Sequence, residues 1–515
     1  MTVEMIGRLH RPPWAGRPAL TRSARLLPLE ARRSAMLWLL PPAIALFMFD
    51  AYRTTVSMLP YWDLRAVAVQ SHAILDFAPF VAGAPAWMGS RDGRRRTAEL
   101  VDATAVPRWS RLLTTWTAAT CCAEAAYLAC VAAAYLATEQ QGAWGGPLWW
   151  PVAVGAASVA AFCAVGFALG ALFPGRFTAP LAAAVAPVLL IATINPPGNT
   201  AYALVSPENS TARLNLFPDV GIFYPYLPDL AIVEVLFLAG LAAAALGVLG
   251  LPAGAGGGRS RGVAAVLAVA GLAAAGTAVG LAGTARLDSL GMFAVPAVHD
   301  AASDRPIPYT PVCSRSAVPV CLHPAFRAYL PEVTAALEPV LVEVAGIPGA
   351  PVRVEQVATP FHLNSAGYQT PGSESVGGTP PVLRLPLGSF LPGPVRFAGS
   401  LRSVAGPGIV ASVIDGPRGG LAARARRLDV PEQQSAAQQA VAAALLKGAG
   451  LPLLPASDFN GANAPIVGVP GPPPGSSVYA AAMRFAALPA AARHAWLAAH
   501  LAALRSGEVT LPQLP

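Results

Sequence analysis

The chain has 515 residues, of which 54% are hydrophobic and 12% charged, and a formal net charge of +8. An average soluble domain carries roughly 25% charge, so a single soluble globule of this composition would have to bury almost everything it has. The positive charge does not mark a nucleic-acid binder, because the arginines sit mostly in short loops between apolar runs, where they set membrane topology.

Residues 1–33 hold Arg8, Arg11, Arg17, Arg22, Arg25, Arg32 and Arg33. A cleavable signal would place its apolar segment and small-residue cleavage site earlier, so a basic cytoplasmic tail is expected here. Seven apolar stretches then approach the ~20 residues needed to cross a bilayer. They are Ser34–Asp50, Ala66–Trp87, Thr114–Ala137, Leu148–Phe173, Phe177–Ile194, Leu230–Leu251 and Gly262–Ala285. The first is short and contains Pro41 and Pro42, and Pro174-Gly175-Arg176 forms the turn between the fourth and fifth.

With the N-terminus inside, the inner loops carry Arg91, Arg94, Arg95, Arg96, Arg108, Arg111, Arg176, Arg259 and Arg261. The outer loops carry only Arg53, Arg65 and Arg213. That bias fixes the orientation, and an odd number of crossings puts the chain after Ala285 outside.

Ionisable groups inside spans are functional candidates by default. His72 and Asp76 lie one helical turn apart in the second span, and Glu124 lies in the third. A polar translocation path and a structural interhelical bond account for Asp76 and Glu124 equally well. Glu234, near the outer edge of the sixth span, reads as snorkelling or internally paired.

The segment from Gly89 to Arg111 is the most informative. Arg94–Thr104 has helix-compatible composition with one basic side, Pro107 ends that helix, and Arg108 and Trp109 begin the next. The outcome is an interfacial helix joined by a proline elbow to a span. This is a topology anchor at the least and a docking element for a cytoplasmic partner at the most.

Glu99-Leu100-Val101, followed by Thr104-Ala105-Val106-Pro107-Arg108 between spans two and three, resembles the membrane subunits of type-2 ABC transporters. The similarity covers about residues 30–251. It implies a six-span permease, here with a seventh span added. It also implies a coupling helix in which Glu99, Leu100, Val101, Thr104, Pro107 and Arg108 face a separate ATPase subunit. In that family the segment between spans five and six often re-enters the outer face, and here residues 195–229 are long, aromatic and proline-rich. The alternative for that loop is an interfacial aromatic belt. Lys447, the only lysine, sits in LLKGAG, which does not fit a phosphate-binding P-loop, so energy would come from the partner.

Residues 286–515 are long enough for a core of their own. Helical spacing is expected over His323–Val344, Gln433–Leu446, Tyr479–Phe485 and Ala490–Leu504, and strands over Val352–Val357, Val382–Leu387 and Ile409–Ile414. Cys313 and Cys321, flanked by prolines and eight apart, are the only cysteines of this part; in an oxidising compartment a disulfide between them is expected, with two free thiols as the alternative and a spacing that does not suit zinc. No HExxH or GxSxG motif is present, and His494 and His500, six apart, fall on different helix faces. Pro324, Asp415 and Glu432 stand without partners of recognisable spacing.

The expectation is therefore an α-helical multi-pass membrane protein. It comprises a tail (1–33), a six-span permease-like domain (34–251), a loop and seventh span (252–285), and an extracytoplasmic soluble α+β domain (286–515). A GC-rich composition suggests a bacterial plasma membrane. The expected partners are an ABC ATPase, the bilayer and a second permease subunit in a homodimer or heterodimer, with no nucleic acid, no metal and no cofactor. The competing expectation is a membrane-anchored binding, sensing or scaffold protein that transports nothing.

Overall fold

The structure is a computed structural model. It describes residues 27–95, 107–194, 205–207, 219–252, 258–287, 292–358, 361–363, 369–371, 375–377, 379–387, 397–414, 435–455 and 469–515. Two compact units emerge. The first comprises Met1–Asn215, Leu227–Arg286 and Phe293–His299, and the second comprises Leu216–Tyr226, Leu287–Met292 and Asp300–Pro515.

The first unit is a helical bundle. Its helices are α1 (Met36–Phe47), α2 (Arg53–Ser57), α3 (Trp62–Gly89), α4 (Arg108–Gln140), α5 (Trp150–Leu172), α6 (Thr178–Ile194), α7 (Asp229–Gly250) and α8 (Gly258–Ala282). Five of them, α3, α4, α5, α7 and α8, are long and apolar enough to cross a membrane. The helix α6 has 17 residues, which spans about 26 Å at 1.5 Å per residue. The first expected span is an interrupted helix, in which α1 runs through a π-helical stretch, Met48–Tyr52, into α2. Composition is consistent with a helical membrane protein on the outside as well. Leu181, Val188, Leu189 and Ile191 of α6 and Val263, Val266, Val269 and Leu272 of α8 are exposed. A continuous apolar exterior of this kind suits lipid rather than water.

The helix α3 is central and packs against α1, α4, α5 and α6. Small residues let the helix backbones touch. A side chain at Gly166 or Gly170 of α5 would run into the carbonyls of Ala82 or Ala86 on α3, which lie at the same four-residue spacing. The pair α7 and α8 repeats the device, with Gly240 against Gly271. Membrane helices, which lack a hydrophobic force between them, associate through such small-xxx-small contacts.

Arg65 departs from the expected outer-loop position. It lies in the first turn of α3, 2% exposed, and its guanidinium donates to the carbonyls of Leu59 (3.1 Å) and Met58 (2.7 Å) and to Gln141. The carbonyls just past α2 have no helical partner, and the arginine supplies one.

The second unit holds a five-stranded mixed sheet. Its strands are β1 (Val312–Cys313), β2 (Val320–Leu322), β3 (Arg353–Gln356), β6 (Ser375–Gly377) and β7 (Val382–Leu385), in the order β1-β2-β3-β7-β6. The pairs β2–β3 and β3–β7 are parallel, and β1–β2 and β6–β7 are antiparallel. A hairpin of β4 (Phe361–Leu363) and β5 (Gln369–Pro371) lies between β3 and β6 in the chain. A parallel pair joins β8 (Leu453–Pro455) and β9 (Val469–Gly471). The helices are α9 (Leu330–Val344), α10 (Phe397–Ile414), α11 (Ala436–Gly448), α12 (Ser477–Ala487) and α13 (Ala490–Ser506).

Alternation in β3 buries Val354 and Gln356, and the apolar stripe of α9 buries Val333, Leu337, Val340 and Val344. The strand expected at Ile409–Ile414 is instead the end of α10. Ile409, Val410, Ala411, Val413 and Ile414 are all buried, and a short run that is apolar on every side suits a core helix as well as a core strand.

Candidate functional site

Three ionisable groups of the first unit meet where the helix α1–α2 is interrupted. A π-helical turn carries one extra residue per hydrogen-bonded ring and often marks functional positions. Here it contains Asp50. Opposite, on α3, His72 and Asp76 are four residues apart and so share a face. His72 Nδ1 lies 2.9 Å from Asp50 Oδ2. Asp76 is 5% exposed, accepts a hydrogen bond from the Ala51 backbone N–H, and leaves Oδ2 without a protein partner. The surroundings are apolar and aromatic: Phe47 packs edge-on to Phe77, and Phe77 edge-on to Tyr127. An unpartnered carboxylate oxygen in such a setting is costly, and a proton, a cation or a donor from a bound molecule would satisfy it.

The structure thus brings together His72 and Asp76 and adds Asp50, which sequence reasoning placed only at the edge of a span. Glu124 stands apart from this trio on α4. It is partly buried, and its electrostatic neighbours are Tyr127 and Cys163. Among the described residues, no group of three or more His, Cys, Asp or Glu has a metal-binding arrangement.

Other buried acids went unread or were read differently, among them Asp63 in the first turn of α3. Asp229, in the first turn of α7 and fully buried, accepts from the Val295 backbone N–H (2.8 Å) and pairs with His299 Nδ1 at 3.1 Å. A carboxylate at a helix N-terminus is favoured by the helix dipole. Glu234 is also fully buried, so it does not snorkel to water.

Of the coupling motif, Glu99, Leu100, Val101 and Thr104 lie outside the described residues. Pro107 occupies the N-cap of α4 in an extended conformation, and Arg108 opens the helix. At a helix start the missing proline N–H costs no hydrogen bond, and the ring disfavours a helical turn before it, so the position suits Pro107.

In the second unit, Cys313 and Cys321 face each other across the antiparallel pair β1–β2 and are joined by a disulfide. His323 follows β2, fully buried, with its ring 4.4 Å from Tyr309 and 5.3 Å from Phe223. Its Nδ1 accepts from the Ala325 N–H, and burial pushes its pKa down to about 4. Phe223, from the aromatic loop expected at a membrane face, therefore belongs to the packing of this unit. Arg493 of α13 donates through Nε to Glu343 of α9 at 2.8 Å, both nearly fully buried. Asp415 and Glu432 lie outside the described residues. His494 bonds the Glu343 carbonyl, and His500 stacks on Trp496, so the two are in separate environments.

No protein-family model matches this chain, and neither a curated protein nor a solved structure matches it.

Proposed function

We propose that the chain is the membrane subunit of a type-2 ABC transporter, working as an exporter, with a separate ATPase docked on the segment between α3 and α4. The observation that carries this reading is the Asp50–His72–Asp76 trio. It provides a cluster of three ionisable groups at a break in a helix of the bundle, and it leaves one carboxylate oxygen, Asp76 Oδ2, free for a cargo group. The proline elbow at Pro107 and the basic segment before it supply the docking element, in keeping with the resemblance of Glu99–Arg108 to a coupling helix. Without a P-loop, the chain takes its energy from the partner.

In this proposal the bundle lies in a bacterial plasma membrane as a homodimer or heterodimer, and the second unit is a soluble extracytoplasmic α+β domain. The Cys313–Cys321 disulfide supports the oxidising side for that unit.

Purification of the full chain in mild detergent should recover an ATPase with Walker motifs. The Glu99→Ala variant should lower ATPase stimulation while changing fold stability by less than ~0.5 kcal/mol. Repeated recovery without any ATPase would sink the transporter reading and favour an anchored binding domain. For the topology, an impermeant thiol reagent should label the second unit's cysteines on intact cells only after reduction. Labelling that needs lysis and no reductant would put that unit in the cytoplasm.

A further inference from the structure

An open apolar groove of about 530 Å³ runs between α1, α3 and α6. Trp38 and Leu39 of α1, Phe80 and Trp87 of α3, and Ala183 of α6 line it. Trp38 is 85% exposed, so the groove opens outward onto the same apolar exterior as Leu181 and Val188.

One end of the groove is basic. Trp87 forms its wall there, and the Arg94 guanidinium lies over the Trp87 ring at 3.4 Å from its centroid. Arg94 is held in place by donating from Nε to Ser90 Oγ at 3.0 Å and from Nη2 to the Trp87 carbonyl at 2.9 Å. The turns that precede α1 and α6 bring arginines to the same end. Arg33 is exposed two residues before the groove-lining Ala35, and Arg176 is exposed three residues before the groove-lining Ala179. The turn carrying Arg176 packs beside the Arg91–Arg94 turn, because a side chain at Gly93 would strike Pro174. The acids at this end, Glu30 and Asp92, are both engaged by Arg91 and do not neutralise the others.

We propose that this groove is a binding site for an anionic phospholipid, with an acyl chain along Trp38, Leu39 and Phe80 and the phosphate at the Arg94 rim. The chemistry is two-part. An apolar slot open to hydrocarbon takes a chain of any lipid, and a fixed guanidinium backed by further arginines selects a negative headgroup. A tryptophan between the two regions suits the boundary of the hydrocarbon layer. This assignment rests on the apolar exterior, the groove and its arginine rim and is independent of the transporter reading.

The full chain, delipidated in detergent, is titrated with phosphatidylglycerol or with phosphatidylcholine of the same acyl chains, and bound lipid is counted by native mass spectrometry. Phosphatidylglycerol should be retained at least tenfold better. Arg94→Gln should sharply lower that preference, with the elution profile checking that the variant is folded. Arg176→Gln, at an exposed turn position, should weaken it in the same direction. Leu39→Trp, which fills the slot, should lower retention of both lipids.

Equal retention of the two lipids by the unaltered chain overturns the proposal, as does a preference that survives both arginine changes. Displacement of the lipid by millimolar glycerol phosphate would mean that a headgroup alone suffices, and it overturns the role of the groove. Efficient Trp38→Cys crosslinking between two copies in lipid would mean that a second chain covers the slot, and it overturns the assignment as well.

Discussion

The His72 imidazole is bonded to the Asp50 carboxylate across 2.9 Å, linking the middle of a long helix to the π-helical turn of its neighbour. Both side chains are partly exposed, at 31% and 41%, so the pair contributes modestly. A double-mutant cycle with Asp50→Ala and His72→Ala should give a coupling of about 0.5–1 kcal/mol in the melting of the detergent-solubilised chain. Strict additivity would show that the two side chains do not act as a unit.

The contact between α3 and α5 depends on the absence of a side chain. Gly170→Val should force the helices apart at the Ala86 carbonyl and destabilise the bundle by about 1–3 kcal/mol, read as a lower melting temperature. The matched control is Gly276→Ala in α8, where the new methyl meets nothing within 4 Å and stability should hold or rise.

Glu343 and Arg493 form a buried ion pair between α9 and α13, and Arg493 also donates to the Ala486 carbonyl at 3.0 Å. Removing one partner strands the other. Glu343→Ala should cost about 3–5 kcal/mol, and Arg493→Leu together with Glu343→Leu less than either single change suggests. Chemical denaturation of the full chain, followed by proteolytic cleavage of the second unit, measures both.

His323 is neutral in the fold, with a pKa near 4 against an ordinary value of 6.5. Between those values the unfolded chain binds a proton that the folded chain refuses, so stability falls as pH drops from about 6.5 towards 4 and then levels off. The loss from this one group is about 3 kcal/mol at most. The physical event is that a protonated Nδ1 can no longer accept from Ala325. Replacement by Gln should flatten the pH dependence of unfolding between pH 7 and 5. A slope that persists unchanged would assign the effect to other groups.

The sequence carried the positions of the apolar helices because their composition is one-dimensional, and each expected span contains a helix. It carried β3 and α9 because periods of two and 3.6 can be read along the chain. It failed at Ile409–Ile414, where a short run buried on all sides has no period to read. The site was half legible. His72 and Asp76 are separated by one turn of one helix, whereas Asp50 joins them only through the fold. Asp229 with His299 and Glu343 with Arg493 were hidden for the same reason, being 70 and 150 residues apart. The π-helical turn was invisible because it is a change in hydrogen-bond register, which side-chain chemistry does not announce.

The glycine contacts have a mechanical consequence. Where Gly166 and Gly170 lay one backbone on another, and Gly240 and Gly271 do the same, sliding by even a fraction of a turn would drive a Cβ into a carbonyl. The pairs α3–α5 and α7–α8 are therefore geared like meshed teeth and travel as solid pieces. Interfaces made of longer side chains leave more room for adjustment than these backbone contacts do. The seam between α1 and α3, which holds both the interrupted helix and the Asp50–His72 bond, is an interface of that second kind.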